Sequence, residues 1–195
     1  MDPERARIQA DLSGLIEGEV HCDATFLQMY ASDASIYEIL PLGVVRPAST
    51  ADVVACVQYA AENQISLIPR GAGSNVAGAC VGQGLILDFS YSMRQIQSVG
   101  KDTVTVQPGV VIGDLNRHLK AHGQLFGPDP ATRNVTTVGG TLAMNTSGSH
   151  WVRYGAPRET IMRLQMVLST GEVVEFDSQE NASISKTLPS LRAQL

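Results

Sequence analysis

Apolar positions recur at helical spacing in some segments of the chain and run together or alternate in the segments between them. Helical spacing begins after Asp2 and Pro3, which are typical of a helix start, and it places Ile8 and Leu12 on one apolar side. A second helical or turn segment follows near residues 26–30. We therefore expect residues 1–29 to form an N-terminal helical segment.

The pattern between residues 44 and 69 predicts a strand, a helix and a second strand. The motif from Ser49 to Asp52 resembles a capping box and opens the helix, and the apolar run at 65–69 predicts a buried strand. A further buried strand is expected at 85–88. This order favours a small βαβ lobe with a parallel sheet, which we place at residues 30–92.

Beyond residue 92 the pattern changes to hairpins. Alternation predicts strands at 95–99, 103–107, 161–169 and 172–176, and helical spacing predicts helices at 112–122 and 138–146. We expect a second lobe at residues 93–178, with a larger, mostly antiparallel sheet and helices. The whole is then an α+β fold of two α/β lobes, with a seam between them where loops 70–78 and 127–155 meet.

Composition narrows the class of protein. The chain has 195 residues, 44% of them hydrophobic and 17% charged, which fits a globular domain. A net charge of −5 without a Lys/Arg cluster argues against nucleic-acid binding, and no apolar run is long enough to cross a membrane. Three cysteines without a CxxC motif make a reducing, cytoplasmic compartment the expectation. His118 and His122 lack a third ligand, so no metal site is expected.

Glycine is the outlier, because 14 of the 18 glycines lie between Gly71 and Gly155. The first cluster is the loop Arg70-Gly71-Ala72-Gly73-Ser74-Asn75, which directly follows the strand expected at 65–69. Glycines let successive N–H groups approach one anion, and the Arg70 guanidinium adds a positive fork. The loop therefore predicts a site for an anionic diphosphate.

Other nucleotide motifs fit this loop less well. A Rossmann fingerprint needs a third glycine where Val76 stands, then a helix, then an acidic residue about 20 positions on, and Asp88 lies at the wrong distance. A Walker loop is excluded because no Gly-Lys-Ser/Thr follows. A glycine-rich turn without a ligand stays open as the alternative.

Two later segments have similar chemistry. The first combines a rigid Pro-Asp-Pro turn at 128–130 with Gly139-Gly140, where another backbone or a flat group can approach closely. The second, at 145–150 and 153–155, is rich in small side chains that hydrogen-bond a polar ligand edge.

Together, in this order, the three segments resemble the FAD-linked oxidases of the vanillyl-alcohol-oxidase type, with a PCMH-type FAD-binding domain. The resemblance covers roughly residues 28–178 and is strongest to the D-lactate/glycolate dehydrogenase branch. The runs at 30–37 and 41–45 are similar to the long members that carry an iron–sulfur region, so such a cluster would belong only to a longer parent protein. Ala72 and Gly127 depart from a frequent Gly and a frequent Pro.

The resemblance implies a role for each segment in binding FAD. The residues implied are Arg70, Gly71, Ala72, Gly73, Ser74 and Asn75 around the diphosphate; Pro128, Asp129 and Thr132 near the ribityl chain and isoalloxazine; Thr137, Gly139 and Gly140 on the opposite wall; and Asn145, Thr146, Ser147, Gly148 and Gly155 completing it. Ser74 and Asn75 occupy the loop where some members carry a flavin-linked His, which favours non-covalent binding. Cys80 and His150 are the alternative attachment points.

The implied reaction is oxidation of a 2-hydroxy acid by hydride transfer to flavin N5. The family's substrate-binding and acid–base groups lie mostly in a cap domain, so no residue here is assigned as catalytic, and residues 179–195 are expected to begin that region. The electron acceptor is left open. Two alternatives remain: another oxidoreductase on this fold, such as a sugar or alditol oxidase, a cell-wall precursor reductase or the flavin subunit of a hydroxylase; or a fragment that binds no flavin.

Overall fold

The computed structural model describes residues 2–177. Helix α1 spans Pro3–Ser13 and begins as the sequence predicts, because the Asp2 carboxylate accepts a hydrogen bond from the Arg5 N–H. Strand β1, Glu19–His21, and helix α2, Ala24–Tyr30, complete the N-terminal segment.

A four-stranded sheet forms the centre of the first half of the chain. Its strands are β1, β2 at Gly43–Arg46, β3 at Leu67–Arg70 and β4 at Leu85–Asp88, in the order β1-β2-β4-β3. Strands β2, β3 and β4 are parallel, as the sequence predicts, and β1 is antiparallel to β2.

Strand β3 differs from the expected buried strand, because it lies at the sheet edge and is only partly buried. The buried position belongs to β4, which lies between β2 and β3 and is buried along its length. Pro69 is exposed in β3, and an edge strand tolerates a residue that has no N–H to donate to a neighbour.

Helix α3, Thr50–Glu62, packs its buried face on this sheet. Ser49 caps it by accepting a hydrogen bond from the Asp52 N–H at 3.2 Å. Cys56 and Tyr59 of α3 share a core with Ile8 and Leu12 of α1 and with Leu85 of β4. The N-terminal helix is therefore part of the first half's core.

The second half contains hairpins and short helices. Its elements are β5 at Ile96–Val99, β6 at Val104–Val106, α4 at Ile112–Lys120, α5 at Val138–Ala143, α6 at Trp151–Tyr154, a short 3-10 helix at Pro157–Glu159, β7 at Arg163–Val167 and β8 at Val173–Asp177. Both hairpins are antiparallel, as predicted. Within residues 2–177 they are two separate two-stranded ladders, where the sequence suggested one larger sheet. The α+β class is confirmed.

A separate core holds the second half together. It contains Val110, Ile112, Leu115, Leu119 and Val138, so α4 and α5 pack on one another beside β5 and β6. The lobe boundary at 92/93 stays a prediction, and the segment 179–195 lies outside the described residues. No helix in the described part of the chain is long and apolar enough to cross a bilayer.

Candidate functional site

The glycine-rich loop follows β3 and turns tightly. Gly73 has a φ of +67°, which non-glycine residues rarely adopt. The Asn75 side-chain oxygen accepts hydrogen bonds from the N–H groups of Ala77 at 2.7 Å and Ala79 at 3.2 Å, so this residue shapes the return of the loop.

The N–H groups at the tip of this loop have no protein acceptor. Residues 72–76 donate no main-chain hydrogen bond to any atom in the described part of the chain. They are exposed or only partly buried, so a ligand can reach them. A run of free N–H groups in a turn is the arrangement that binds phosphate oxygens.

The Arg70 side chain, expected from the sequence to add a positive fork to the site, is held by the protein backbone. Its guanidinium donates to the backbone carbonyls of Ser32 at 2.8 Å, Cys80 at 3.2 Å and Tyr30 at 3.4 Å. The side chain therefore joins the loop to the end of α2.

The loop meets the second sequence segment directly, as the expected seam requires. Gly71 lies so close to the Thr137 hydroxyl that a side chain at Gly71 would clash with it. The Ser74 hydroxyl is 3.4 Å from that of Thr136, which also hydrogen-bonds the hydroxyl of Thr132. Thr136 is not among the site residues predicted from the sequence, where its place beside Thr137 is its signal.

The two glycines at the start of α5 have different surroundings. Gly139 packs on Pro108, where a Cβ would come within 2.8 Å of the proline Cβ, and its N–H donates to the Pro108 carbonyl. Within the described part of the chain, a Cβ on Gly140 would meet only the Thr137 hydroxyl within 4 Å. Gly139 therefore accommodates the protein's own backbone, whereas Gly140 presents an open face.

The third segment is paired with the Pro-Asp-Pro turn. The Asp129 N–H donates to the Ser147 carbonyl at 3.0 Å, and the Ser149 N–H donates to the Asp129 carbonyl at 3.1 Å. The Asp129 carboxylate accepts from the Ser149 hydroxyl at 2.9 Å and from Arg133 at 3.2 Å. Gly148 lies directly against the Asp129 carbonyl, where no side chain fits.

The remaining predicted residues lie around this pairing. Asn145 accepts a hydrogen bond from the Arg158 N–H at 3.2 Å, Thr146 donates its N–H to Thr141, and Gly155 packs against the Glu159 carboxylate. Pro128 is buried and lines a cleft of about 420 Å³. The structure thus brings the three segments together through contacts at 71–74, 129 and 136–137.

The two alternative attachment residues have different surroundings. Cys80 is buried and donates its thiol to Asp33 at 3.3 Å, and burial, together with this hydrogen bond, raises the pKa of the thiol to about 11. His150 is half-exposed, 3.7 Å from the Asp129 carboxylate. Residues 2–177 hold no group of three or more His, Cys, Asp or Glu that could bind a metal.

A polar cluster beside the loop was not foreseen from the sequence. The Tyr30 hydroxyl donates to the Asp88 carboxylate at 2.7 Å and accepts from Arg46 at 3.0 Å. Burial, with the Asp88 hydrogen bond, raises the pKa of Tyr30. These three residues come from α2, β2 and β4, so no local sequence pattern signals their meeting.

A comparison with protein families matches residues 41–177 to a model described as an FAD binding domain. The glycolate oxidase subunit GlcD of Bacillus subtilis (strain 168) is 32% identical over 151 residues, which cover 75% of this chain and 32% of that protein. The D-2-hydroxyglutarate dehydrogenase of Escherichia coli (strain K12) is 35% identical and the D-lactate dehydrogenase of Anaerostipes hadrus 33% identical, over 74% and 89% of this chain. The aligned parts are 15% and 35% of those two proteins, so the chain spans about a third or less of these relatives.

Solved structures with the same fold include an alkyldihydroxyacetonephosphate synthase, with a TM-score of 0.78 and 25% identity over 91% of this chain and 38% of that one. A second is 6-hydroxy-D-nicotine oxidase from Arthrobacter nicotinovorans, with a TM-score of 0.76 over 87% of this chain and 38% of that one. Its identity is 24%, so it supports the fold alone.

Proposed function

The chain belongs to the family of FAD-binding domains and its cofactor is FAD; from that premise we propose that it is the flavin-binding part of an oxidoreductase that oxidises a 2-hydroxy acid of the D-lactate, glycolate or D-2-hydroxyglutarate class. The matched family confirms the resemblance seen in the sequence. The substrate class is drawn from the names of the relatives, all of which act on 2-hydroxy acids.

The observation that carries the proposal is the run of N–H groups at residues 72–76, which have no acceptor among residues 2–177. An anion satisfies such donors, and the loop lies against Thr136 and Thr137 of the second segment. These residues fit the central diphosphate of a long dinucleotide, one half of which would continue from the loop into the second half of the chain.

We assign the contacts by segment. The main chain at 72–76 would hold the diphosphate through its N–H groups. Pro128, Thr132 and the open face of Gly140 would lie along the rest of the cofactor, with Thr146 and Ser147 as hydrogen-bonding side chains. Thr137, Gly139, Asp129, Asn145, Gly148 and Gly155 would act by fixing the backbone, because each is already engaged in a contact within the protein.

Bound FAD would supply a two-electron acceptor for the hydride that leaves the hydroxy acid. The chain's own residues bind and orient the cofactor and exclude water from one side of it. We place the catalytic base outside residues 2–177. We expect non-covalent FAD binding, because the Cys80 thiol is buried and its pKa is raised to about 11.

Anaerobic reduction tests this proposal. The native protein that carries this chain is loaded with FAD and mixed with D-lactate, glycolate or D-2-hydroxyglutarate, and the oxidised-flavin absorbance is followed. We expect at least one 2-hydroxy acid to bleach the flavin and an alditol to leave it oxidised. Bleaching by an alditol or a sugar alone would favour the alternative oxidase, and a protein that takes up no FAD would refute both.

A further inference from the structure

The Arg70 guanidinium touches the glycine-rich loop at its middle and its end. Arg70 itself begins the loop at the end of β3. Its Nη2 donates to the Ser32 carbonyl, and its Nη1 donates to the carbonyls of Tyr30 and of Cys80, where the loop ends. Gly73, at the middle of the loop, packs on the same group: a Cβ there would lie 2.6 Å from Nη2 and 3.1 Å from Cζ.

Three of the five N–H bonds of this guanidinium are already engaged by backbone carbonyls of the protein. Of the five N–H bonds of the guanidinium, the two that make no hydrogen bond in the described part of the chain belong to Nη2 and Nε. A Cβ on Gly73 would lie within 3.3 Å of both atoms, so the Gly73 backbone covers this side. The Gly73 carbonyl is in turn held by the Ala34 N–H at 3.0 Å.

We propose that Arg70 is a positioning residue, whose guanidinium holds the loop in the shape that presents the N–H groups of residues 72–76, and that it makes no contact with the anion itself. That the anion is the FAD diphosphate rests on the function proposed above. The alternative is the role expected from the sequence, in which Arg70 pairs directly with the diphosphate.

The two roles differ in what a lysine can replace. Lysine keeps the charge but is a single ammonium group, which cannot bridge carbonyls spread across the plane of a guanidinium. A positioning role therefore predicts that Arg70→Lys loses as much FAD affinity as Arg70→Met. Direct pairing of the Arg70 charge with the anion predicts that Arg70→Lys retains most of the FAD affinity that Arg70→Met loses.

The first measurement is made without any flavin. Cys80 is 7% exposed and its carbonyl is an Arg70 acceptor, so loosening of the loop uncovers its thiol. The cofactor-free 195-residue chain is treated with a thiol reagent, and the rate of Cys80 labelling is measured. We expect Arg70→Lys and Arg70→Met each to raise this rate about tenfold or more. A tenfold rise corresponds to a loss of about 1.4 kcal/mol in the free energy that protects the thiol. Cys22 and Cys56, buried elsewhere, should label as slowly as in the wild type, with the site identified by mass spectrometry.

The second measurement is the FAD dissociation constant. We expect both variants to raise it about tenfold or more, to values within about threefold of each other, given the loss of two or three hydrogen bonds to a charged group. Millimolar guanidinium ion should partly restore FAD affinity and Cys80 protection in Arg70→Ala, whereas an ammonium salt should not. Arg94→Met removes an exposed arginine 3.9 Å from Asp114 and should change neither quantity.

Each outcome decides the role of Arg70. Near-wild-type affinity in Arg70→Lys, or unchanged Cys80 labelling in both variants, would overturn the positioning role. A wild-type chain that takes up no FAD would refute the proposed function, while the labelling rates would still decide whether Arg70 holds the loop. If neither variant folds, Gly73→Ala displaces the native guanidinium by adding the clashing Cβ. Cys80 labelling should then rise in Gly73→Ala and not in Gly123→Ala, which has the same positive φ but no atom within 4 Å of its Cβ.

Discussion

The Asp52 carboxylate, almost fully buried at the start of α3, accepts hydrogen bonds from four protein groups. Three are the backbone N–H groups of Glu17, Gly18 and Ala48, at 3.2, 2.9 and 2.8 Å, and the fourth is the Ser49 hydroxyl at 3.2 Å. This one side chain therefore ties the segment after α1 to the first half's central helix.

Asp52→Asn should destabilise the chain by about 1–3 kcal/mol, because an amide has one acceptor oxygen and leaves one or two of these N–H groups without a partner. Urea unfolding followed by circular dichroism measures the change. Asp102→Asn, at an exposed position between β5 and β6, is the matched control and should stay within about 0.5 kcal/mol of the wild type. Equal stabilities of the two variants would show that the Asp52 contacts do not hold the segment.

Contacts between near neighbours in the sequence could be predicted at this scale, and contacts between distant residues could not. Asp2 and Ser49 were identified as helix caps because a cap acts on an N–H three residues away. Only half of the expected capping box forms: the Ser49 hydroxyl accepts from the Asp52 N–H, but the Asp52 carboxylate accepts from the N–H groups of Glu17, Gly18 and Ala48 and not from that of Ser49. The Tyr30–Asp88 hydrogen bond joins residues 58 positions apart, so no local rule identifies it.

At the scale of elements, the β7–β8 hairpin docks on α3 although the two lie far apart in the chain. Gly171, in the hairpin turn with a φ of +82°, packs on Gln58, where a Cβ would come 2.9 Å from the glutamine Cγ. The Thr50 hydroxyl donates to the Gln165 side chain at 3.1 Å. Thus a hairpin of the second half contacts a helix of the first.

Gly171→Ala should cost about 2–3 kcal/mol of unfolding free energy, about 1–2 from the left-handed backbone and the rest from the clash with Gln58. Adding Gln58→Ala should relieve about 1 kcal/mol of that cost in a double-mutant cycle measured by urea unfolding. Gly123→Ala supplies the backbone term alone, because nothing lies within 4 Å of its Cβ. A cycle with no coupling would mean that the hairpin does not rest on α3 in solution.

Element types were predictable where periodicity was clear, but strand order was not. The helices at α1, α3 and α4 and both hairpins lie where the hydrophobic pattern places them. The pattern did not predict that β4 lies between β2 and β3, because a short apolar run has the same pattern in a central strand and in an edge strand. It also could not tell whether two hairpins share a sheet, because pairing between hairpins depends on distant residues.

At the scale of the whole molecule, the two halves meet where the three sequence segments were expected to meet. Gly71 on one side contacts Thr137 on the other, and Ser74 contacts Thr136. The sequence located these segments because glycine, proline and small polar residues mark loops that approach a ligand closely. The sequence did not indicate that Asp129 and Gly139 make their contacts with other residues of the protein.

Binding of FAD to a matched pair of glycine variants tests the central claim most directly. Gly73 and Gly123 have nearly the same φ, +67° and +69°, but only Gly73 lies in the diphosphate loop. FAD is titrated into the folded 195-residue chain. We expect the wild type and Gly123→Val to bind FAD with similar affinity, and Gly73→Val not to take up FAD. Folded Gly73→Val that binds FAD with wild-type stoichiometry and affinity would contradict the central claim.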